Sequence, residues 1–180
     1  HTRYISVTGV QTCALPISRR SSGYTNSTNY QTNKKTMEKM ERQVSALQKN
    51  AIKAAKIMGV KNIEFMDFPD NEMDKISNLE ITKKIESSIT DFRPDAIFTH
   101  SQNDINVDHR MLYDATITAT RPHSKYQVKE VISFEVPSST EWYFPAKFSP
   151  NMFIDISKEL ATDRKSTRLN SSHTDISRMP

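Results

Sequence analysis

The 180-residue sequence contains little cysteine and little glycine, with one Cys and three Gly residues. The single cysteine, Cys13, excludes an intrachain disulfide and any zinc site that is built from several thiolates. The glycines stand far apart at Gly9, Gly23 and Gly59, which excludes a glycine-rich phosphate loop and argues against a dinucleotide-binding protein. No apolar run approaches the roughly 18 residues that a membrane-spanning helix requires.

The two ends of the chain match the translation of a short-read sequencing adapter. Residues 7–17 correspond to one strand of the adapter and residues 163–173 to the other, and spacers of equal length at 4–6 and 174–176 lie where a sample index would stand. We therefore expect residues 1–18 and 163–180 to be adapter-derived, with one partial domain at residues 19–162. The alternative is a natural basic tail and a poor signal peptide.

The charge balance changes when these ends are set aside. The full chain has 25 Lys and Arg against 21 Asp and Glu, a net charge of +4. The ends hold five of the basic and two of the acidic residues, which leaves 20 against 19, or +1, in residues 19–162. A domain of this charge gives no argument for a nucleic-acid partner. Its lack of cysteine is compatible with a reducing cytoplasm, where we expect the protein.

Apolar spacing predicts helices that alternate with strands. We expect helices over 36–58, from 78 to 92, from about 109 to 120 and after 157, and strands at 62–68, 95–99, 128–134 and 151–156. The expected buried residues of the second and third helices are Leu79, Ile81, Ile85, Ile89, Met111, Leu112, Ala115, Ile117 and Ala119. Such alternation favours an α/β fold with a mainly parallel sheet covered by helices.

Residues 99–110 concentrate the side chains that carry chemistry. The run Thr-His-Ser-Gln-Asn-Asp-Ile-Asn-Val-Asp-His-Arg places two histidines, two aspartates and two asparagines between a predicted strand and a predicted helix. Metal and ligand sites of α/β proteins form at such junctions, and neutral imidazole is the commonest metal ligand. His109 is therefore a candidate ligand. The alternatives are a surface or capping role for His109, a polar loop role for His100, and helix capping by Asp104 and Asp108.

Seven segments of the chain resemble zinc-dependent N-deacetylases of the PIG-L (LmbE-like) family. They are residues 54–60, 67–70, 93–100, 104–110, 118–122, 134–142 and 148–156, and they follow one another in the family's order. The resemblance implies a Rossmann-like α/β fold with helices on both faces of the sheet. It also implies Zn²⁺ as cofactor and hydrolysis of the acetamide of an N-acetylglucosamine-type sugar or glycoconjugate.

The family carries a His-x-x-His motif whose last residue binds zinc, and Asn106-Val107-Asp108-His109 matches it. The resemblance therefore implies that His109 is a metal ligand, and our candidate catalytic residues are Asp108, His100 and Asn106. Asn106 stands where the family has histidine, and an amide donates a hydrogen bond to an oxyanion but cannot act as a general acid. Our hypothesis is that His100 takes the proton role. The pocket residues that the resemblance suggests are Asp70, Arg121, Glu135 and Ser138.

The family's other motif, His-Pro-Asp-Asp-Glu, supplies two zinc ligands and the general base, and it occurs nowhere in this sequence. If the ends are adapter, the fold lacks its first strand and its C-terminal end. We then expect an incomplete zinc site and an inactive chain.

Two rival interpretations are another metal-dependent hydrolase, such as a phosphoesterase, and a non-catalytic α/β binding module. A phosphoesterase is expected to show further His or Asp clusters, and a binding module would keep its function without His109.

The expected partner is a small molecule or glycan that bears an N-acetyl sugar, with no nucleic acid and no membrane segment, and the oligomeric state stays open. Trp142 is expected to pack against the protein rather than to stack on a sugar ring.

Overall fold

A computed structural model of the chain describes residues 4–6, 34–66, 68, 71–122, 126–142, 144, 147–162 and 165. In chain order, its elements are β1 (Tyr4–Ser6), α1 (Lys34–Ile57), a 3₁₀ turn at Met73–Lys75, α2 (Asn78–Phe92), β2 (Ala96–Thr99), α3 (Val107–Ala119), β3 (Glu130–Ser133) and a second 3₁₀ turn at Thr140–Trp142.

The three strands form one parallel sheet in the order β1-β2-β3. Ile5 is the register partner of Ile97, and Ile97 is the partner of Val131 on the other side. The central strand β2 is almost wholly buried because it is flanked by strands and covered by helices. The predicted parallel α/β fold is confirmed.

Strand β1 was not expected from the sequence. It lies at residues 4–6, inside the range that matches the adapter, and it occupies the sheet position next to β2. The sequence predicts no strand before α1. A three-residue strand has too short a pattern of alternating side chains to be recognised from sequence.

Helix α1 and its end agree with the apolar spacing. Ala51, Ala54 and Ala55 are buried along one side of the helix. Gly59 follows with φ +73, the left-handed conformation that glycine adopts most readily and that commonly ends a helix. None of the helices in the described ranges combines the length and the apolar character that crossing a bilayer requires.

Helix α2 begins and ends at capping residues. The Ser77 Oγ accepts the N–H of Glu80 at 3.2 Å, which is the hydrogen bond of an N-cap. Arg93 ends the helix in the left-handed conformation with φ 51, and Pro94 follows it. The limits predicted for α2 are therefore confirmed.

The core lies between α2, α3 and the central strand. Its buried members are Met66, Phe68, Met73, Ile81, Ile85, Ile89, Ile97, Leu112, Ala115 and Ala119. Two predicted core residues were wrong, since Leu79 is 62% and Ile117 is 43% exposed. Successive residues of an α-helix are rotated by about 100° around its axis. Leu79 therefore lies on the side of α2 roughly opposite the buried Ile81, and Ile117 lies on the side of α3 roughly opposite the buried Ala115.

Two predicted strands are not formed by the described residues. Of the described residues in 62–68, only Phe65 forms an isolated bridge, while Met66 and Phe68 fill the core from irregular backbone. Residues 152–156 have no strand pairing, and Phe153 is 82% exposed. A strand is stabilised by a ladder of hydrogen bonds to a neighbouring strand. The sequence pattern of one segment does not supply that neighbour.

Candidate metal centre

The junction between β2 and α3 is built from short-range hydrogen bonds. The Asp104 Oδ1 accepts the N–H of Asn106 at 2.8 Å, and the Asn106 Oδ1 accepts the N–H of Asp108 at 2.9 Å, so Asn106 is the N-cap of α3. Arg110 donates to the carbonyl oxygens of Asp104 at 2.6 Å and Ile105 at 2.8 Å. These bonds fix the path of the loop between the two histidines.

The loop brings His100 and His109 face to face. His100 follows the last residue of β2, and His109 lies in the first turn of α3. Their ring centroids are 3.7 Å apart with an interplanar angle of 3°, and both residues are buried. The Phe134 ring, after β3, lies 4.9 Å from the His100 ring and closes one side of the pair.

Asp104 joins the histidine pair from the loop between them. Its Oδ2 lies 3.0 Å from the Nδ1 of His109. The hydroxyls of Ser139 and Thr140 donate to the same Oδ2 at 2.9 and 3.0 Å. Burial alone raises the pKa of Asp104, but the hydrogen bonds from His109, Asn106 and Ser139 outweigh it and hold this pKa below its ordinary value.

Burial also fixes the charge state of His100. Loss of solvent, followed by the proximity of His109, lowers the pKa of His100 to about 3, although the charge of Asp104 acts in the opposite direction. His100 is therefore neutral near pH 7. Neutral imidazole is the form that binds a metal ion, whereas a general acid has to arrive protonated.

These three residues form a group that could hold a metal ion. One candidate ligand atom from each of His100, Asp104 and His109 lies within 4.8 Å of the others. Two imidazoles and one carboxylate are residue types that bind zinc, and all three residues are buried, so the composition of the group fits a divalent ion of the zinc type.

Asp108 lies beside the centre but its carboxylate is directed to another segment. Its Oδ2 accepts the N–H of Asn71 at 2.6 Å and its Oδ1 accepts the N–H of Met73 at 3.0 Å. The side chain thus anchors the Met73–Lys75 turn to the start of α3. This arrangement favours a positioning role for Asp108 over direct contact with a substrate.

The suggested pocket residues lie at different distances from the histidines. Arg121 follows α3 at the end opposite His109, roughly 18 Å along the helix axis at 1.5 Å per residue. Glu135 and Ser138 are exposed and belong to the segment that carries Ser139. The structure thus brings Glu135 and Ser138, but not Arg121, to the side of the centre, and Asp70 lies outside the described residues.

Sequence reasoning missed Ser139 and Thr140, whose local pattern indicates only a turn. Both are buried and both donate to Asp104 from more than 30 positions away. It also gave Trp142 a packing role, whereas Trp142 is 60% exposed. A run of small hydroxyl residues directly after a predicted strand is the one local signal that points to a polar contact at the sheet edge.

The fold and the buried histidine pair define an α/β protein with its centre at the carboxyl end of a parallel strand. Residues 7–120, more than half of the chain, match the family described as PIG-L: GlcNAc-PI de-N-acetylase. The chain belongs to this family. The match begins inside the range that resembles the adapter. No curated protein matches the sequence.

Solved structures show the same fold at low sequence identity. The conserved protein TT1542 from Thermus thermophilus is 15% identical with a TM-score of 0.58, over 93% of this chain and 65% of its own length. The 4-carboxy-2-hydroxymuconate hydratase GalB from Pseudomonas putida is 14% identical with a TM-score of 0.65, over 95% of this chain and 80% of that one.

A third structure is an N,N'-diacetylchitobiose deacetylase from Pyrococcus horikoshii. It is 20% identical with a TM-score of 0.56, over 83% of this chain and 56% of that enzyme. This chain therefore spans less than two thirds of both the Thermus thermophilus protein and the Pyrococcus horikoshii deacetylase. At such identities, the likeness establishes the fold alone.

Proposed function

We propose that this chain is part of a zinc-dependent N-deacetylase that hydrolyses the acetamide of an N-acetylglucosamine-type sugar or glycoconjugate. The observation that supports the proposal is the pair of buried imidazoles, stacked at 3.7 Å where β2 ends, in a chain of the PIG-L family. The deacetylase from Pyrococcus horikoshii shares the fold, which agrees with this reaction class.

In this proposal His100 and His109 hold the ion. This changes the role first assigned to His100, because its ring lies buried beside His109 and Asp104 in the candidate metal group, and burial keeps the imidazole neutral by lowering its pKa. When bound, the ion supplies Lewis acidity that polarises the acetamide carbonyl. Asn106 uses its Oδ1 to cap α3, and in this proposal its Nδ2 group donates a hydrogen bond to the negative charge that develops on the carbonyl oxygen.

The general base is the part that the described residues do not supply. Among them the buried carboxylates are Asp104 and Asp108, and both accept several hydrogen bonds that hold them in fixed positions. The His-Pro-Asp-Asp-Glu sequence that carries the family's base is absent from the chain. We therefore predict that this 180-residue chain binds Zn²⁺ weakly and releases no acetate from N-acetylglucosamine substrates.

Zinc titration by calorimetry together with an acetate assay tests the proposal. His109→Ala is expected to weaken Zn²⁺ binding at least about 100-fold, more than the loss of a typical supporting residue. Tyr113→Phe on the same helix serves as a matched control and should bind as the unmodified chain does. Acetate release by the unmodified chain would overturn the prediction of inactivity, and equal zinc binding by His109→Ala would overturn the metal site.

A different reaction on the same fold is a rival proposal, since the structural neighbours include a hydratase. A phosphoesterase and a non-catalytic binding module are two further rivals. Extending the chain with the genomic sequence upstream of Arg19 and assaying acetate release, phosphate release and hydration in parallel separates these outcomes. The genomic sequence upstream of Arg19 and downstream of Thr162 tests our proposal that residues 1–18 and 163–180 are adapter-derived, since a genomic reading frame that encodes either range would contradict it.

A further inference from the structure

We propose that Asp104 is a positioning residue for His109 rather than a metal ligand, and that Ser139 and Thr140 hold it in that role. This inference rests on the proposed metal site and deepens it. It assigns a function to the segment after β3, which packs against the centre without contributing an imidazole or a carboxylate to it.

The hydrogen bonds of Asp104 carry the argument. Its Oδ1 accepts the N–H of Asn106 at 2.8 Å, and its Oδ2 accepts the hydroxyls of Ser139 at 2.9 Å and Thr140 at 3.0 Å. The Nδ1 of His109 approaches the same Oδ2 at 3.0 Å. Three of these four contacts fall on Oδ2, and a carboxylate oxygen offers about two acceptor positions, so Oδ2 is fully used by its protein partners. A metal ion on Oδ2 would have to displace one of them, and Asp104 is fully buried.

The same contacts specify the tautomer of His109. An ionised carboxylate only accepts hydrogen bonds, and the Ser139 Oγ, 3.5 Å from the same Nδ1, already donates its proton to Asp104, so in the neutral form of the His109 ring the proton lies on Nδ1. The Nε2 atom of His109 then keeps its lone pair and is the nitrogen that binds the ion. Metal-binding histidines commonly donate their other ring N–H to such a carboxylate, which fixes both tautomer and ring orientation.

Ser139 and Thr140 are held in place by their own loop. The N–H groups of both residues donate to the carbonyl of Val136, at 2.9 and 2.8 Å. The Thr140 Oγ1 in turn accepts the N–H of Val136 at 2.8 Å, so its hydroxyl proton is directed to Asp104. The loop therefore presents two preorganised hydroxyl donors to one oxygen atom.

The first experiment uses the metal-free 180-residue protein with ¹⁵N-labelled histidine. Long-range ¹H–¹⁵N NMR reports which nitrogen of His109 carries the proton, with the signal assigned by the His109→Gln variant. We expect the Nδ1–H tautomer in the unmodified chain and a shift towards Nε2–H in Asp104→Asn and Asp104→Ala. Asp114→Asn, an exposed position on the same helix, should leave the tautomer unchanged. An Nε2–H tautomer in the unmodified chain would overturn the inference.

The second experiment measures Zn²⁺ affinity by calorimetry in the Ser139→Ala, Thr140→Val double variant. If Asp104 positions His109, loss of both hydroxyls loosens it and weakens binding about 10-fold, and Asp104→Asn weakens binding about 10–100-fold. If Asp104 is instead a ligand, removing the hydroxyls that compete for its Oδ2 strengthens binding, and that result would overturn the inference. Thr118→Val, whose hydroxyl bonds only within α3, is the matched control.

Circular dichroism of each variant confirms that the fold is kept, and the double variant leaves Asp104 itself in place should the Asp104 variants fail to fold. Absence of Zn²⁺ binding in the unmodified chain would defeat the proposed function. The tautomer measurement would still decide the role of Asp104, because it is made without metal.

Discussion

Two regions of the molecule, residues 99–110 and residues 152–156, reverse the usual rule that polar residues are exposed and apolar residues are buried. In the first region His100, Asp104 and Asp108 are charged or polar and buried, whereas in the second Phe153 and Ile154 are apolar and 82% and 67% exposed. Polar groups tolerate burial when their hydrogen-bonding atoms find partners, and the junction supplies such partners from its own loop and from distant segments. Apolar residues become buried only where another surface covers them.

The difference teaches that in these two regions the contacts with other segments, rather than hydrophobicity, decide which residues are buried. The junction is tied to the segment after β3 through Ser139 and to the Met73–Lys75 turn through Asp108. Residues 152–156, by comparison, have no strand partner among the described residues. Three substitutions test this contrast between a stabilising junction and a region that adds little to stability.

The largest effect is expected from Leu112→Ala in α3, which carries His109 and is anchored by the core. Leu112 is fully buried, so its truncation removes apolar contacts and leaves a cavity. We expect the free energy of unfolding to fall by about 2–5 kcal/mol, measured by urea denaturation. Ile117→Ala on the same helix is the control, because Ile117 is 43% exposed and should cost far less. Equal losses for the two variants would show that α3 is not anchored through Leu112.

A smaller loss is expected from Asp108→Asn. The carboxylate accepts the N–H groups of Asn71 and Met73, and an amide retains only one accepting oxygen. The free energy of unfolding should fall by about 1.5–3 kcal/mol, the contribution of a hydrogen bond to a charged group. Asp114→Asn, at an exposed position, should change it by less than about 0.5 kcal/mol. Hydrogen exchange at the amide of Met73 should accelerate in Asp108→Asn alone, and unchanged exchange there would contradict the anchoring role.

The smallest effect on stability is expected from Ile154→Ser. Ile154 is 67% exposed, so little apolar contact is lost and the free energy of unfolding should change by less than about 0.5 kcal/mol. Solubility should rise, because exposed apolar patches promote association. Light scattering at increasing concentration measures this. A loss of more than about 2 kcal/mol would mean that the segment packs against the rest of the protein, and the contrast would fail.

Much of the helical structure was predictable from local patterns. Helices α1, α2 and α3 follow from apolar spacing, and Ser77, Gly59 and Pro94 mark helix ends through local backbone chemistry. The strands were predicted less well. Strands β2 and β3 were expected and β1 was not, and the described residues of two other predicted strands form none, because strand formation requires a partner that the segment itself does not encode.

Only part of the candidate metal centre could be predicted, because its other contacts join segments that are far apart in the sequence. His109 could be singled out because it matches a sequence motif and lies just inside a predicted helix. The buried pairing with His100 and the hydrogen bonds to Asp104 from Ser139 and Thr140 required the folded chain. Arg121 was suggested by the family resemblance, yet the length of helix α3 separates it from His109.

The sequence by itself determined the helices, the α/β class and the position of the polar run between β2 and α3, since these depend on local spacing and capping. Tertiary structure alone decided which polar residues meet. Parallel packing of β2 and β3 brings residues 139–140 beside Asp104, and anchoring by Asp108 brings residues 71–73 to α3. Contacts between residues that stand more than 30 positions apart depend on the relative placement of whole elements, which no local pattern specifies.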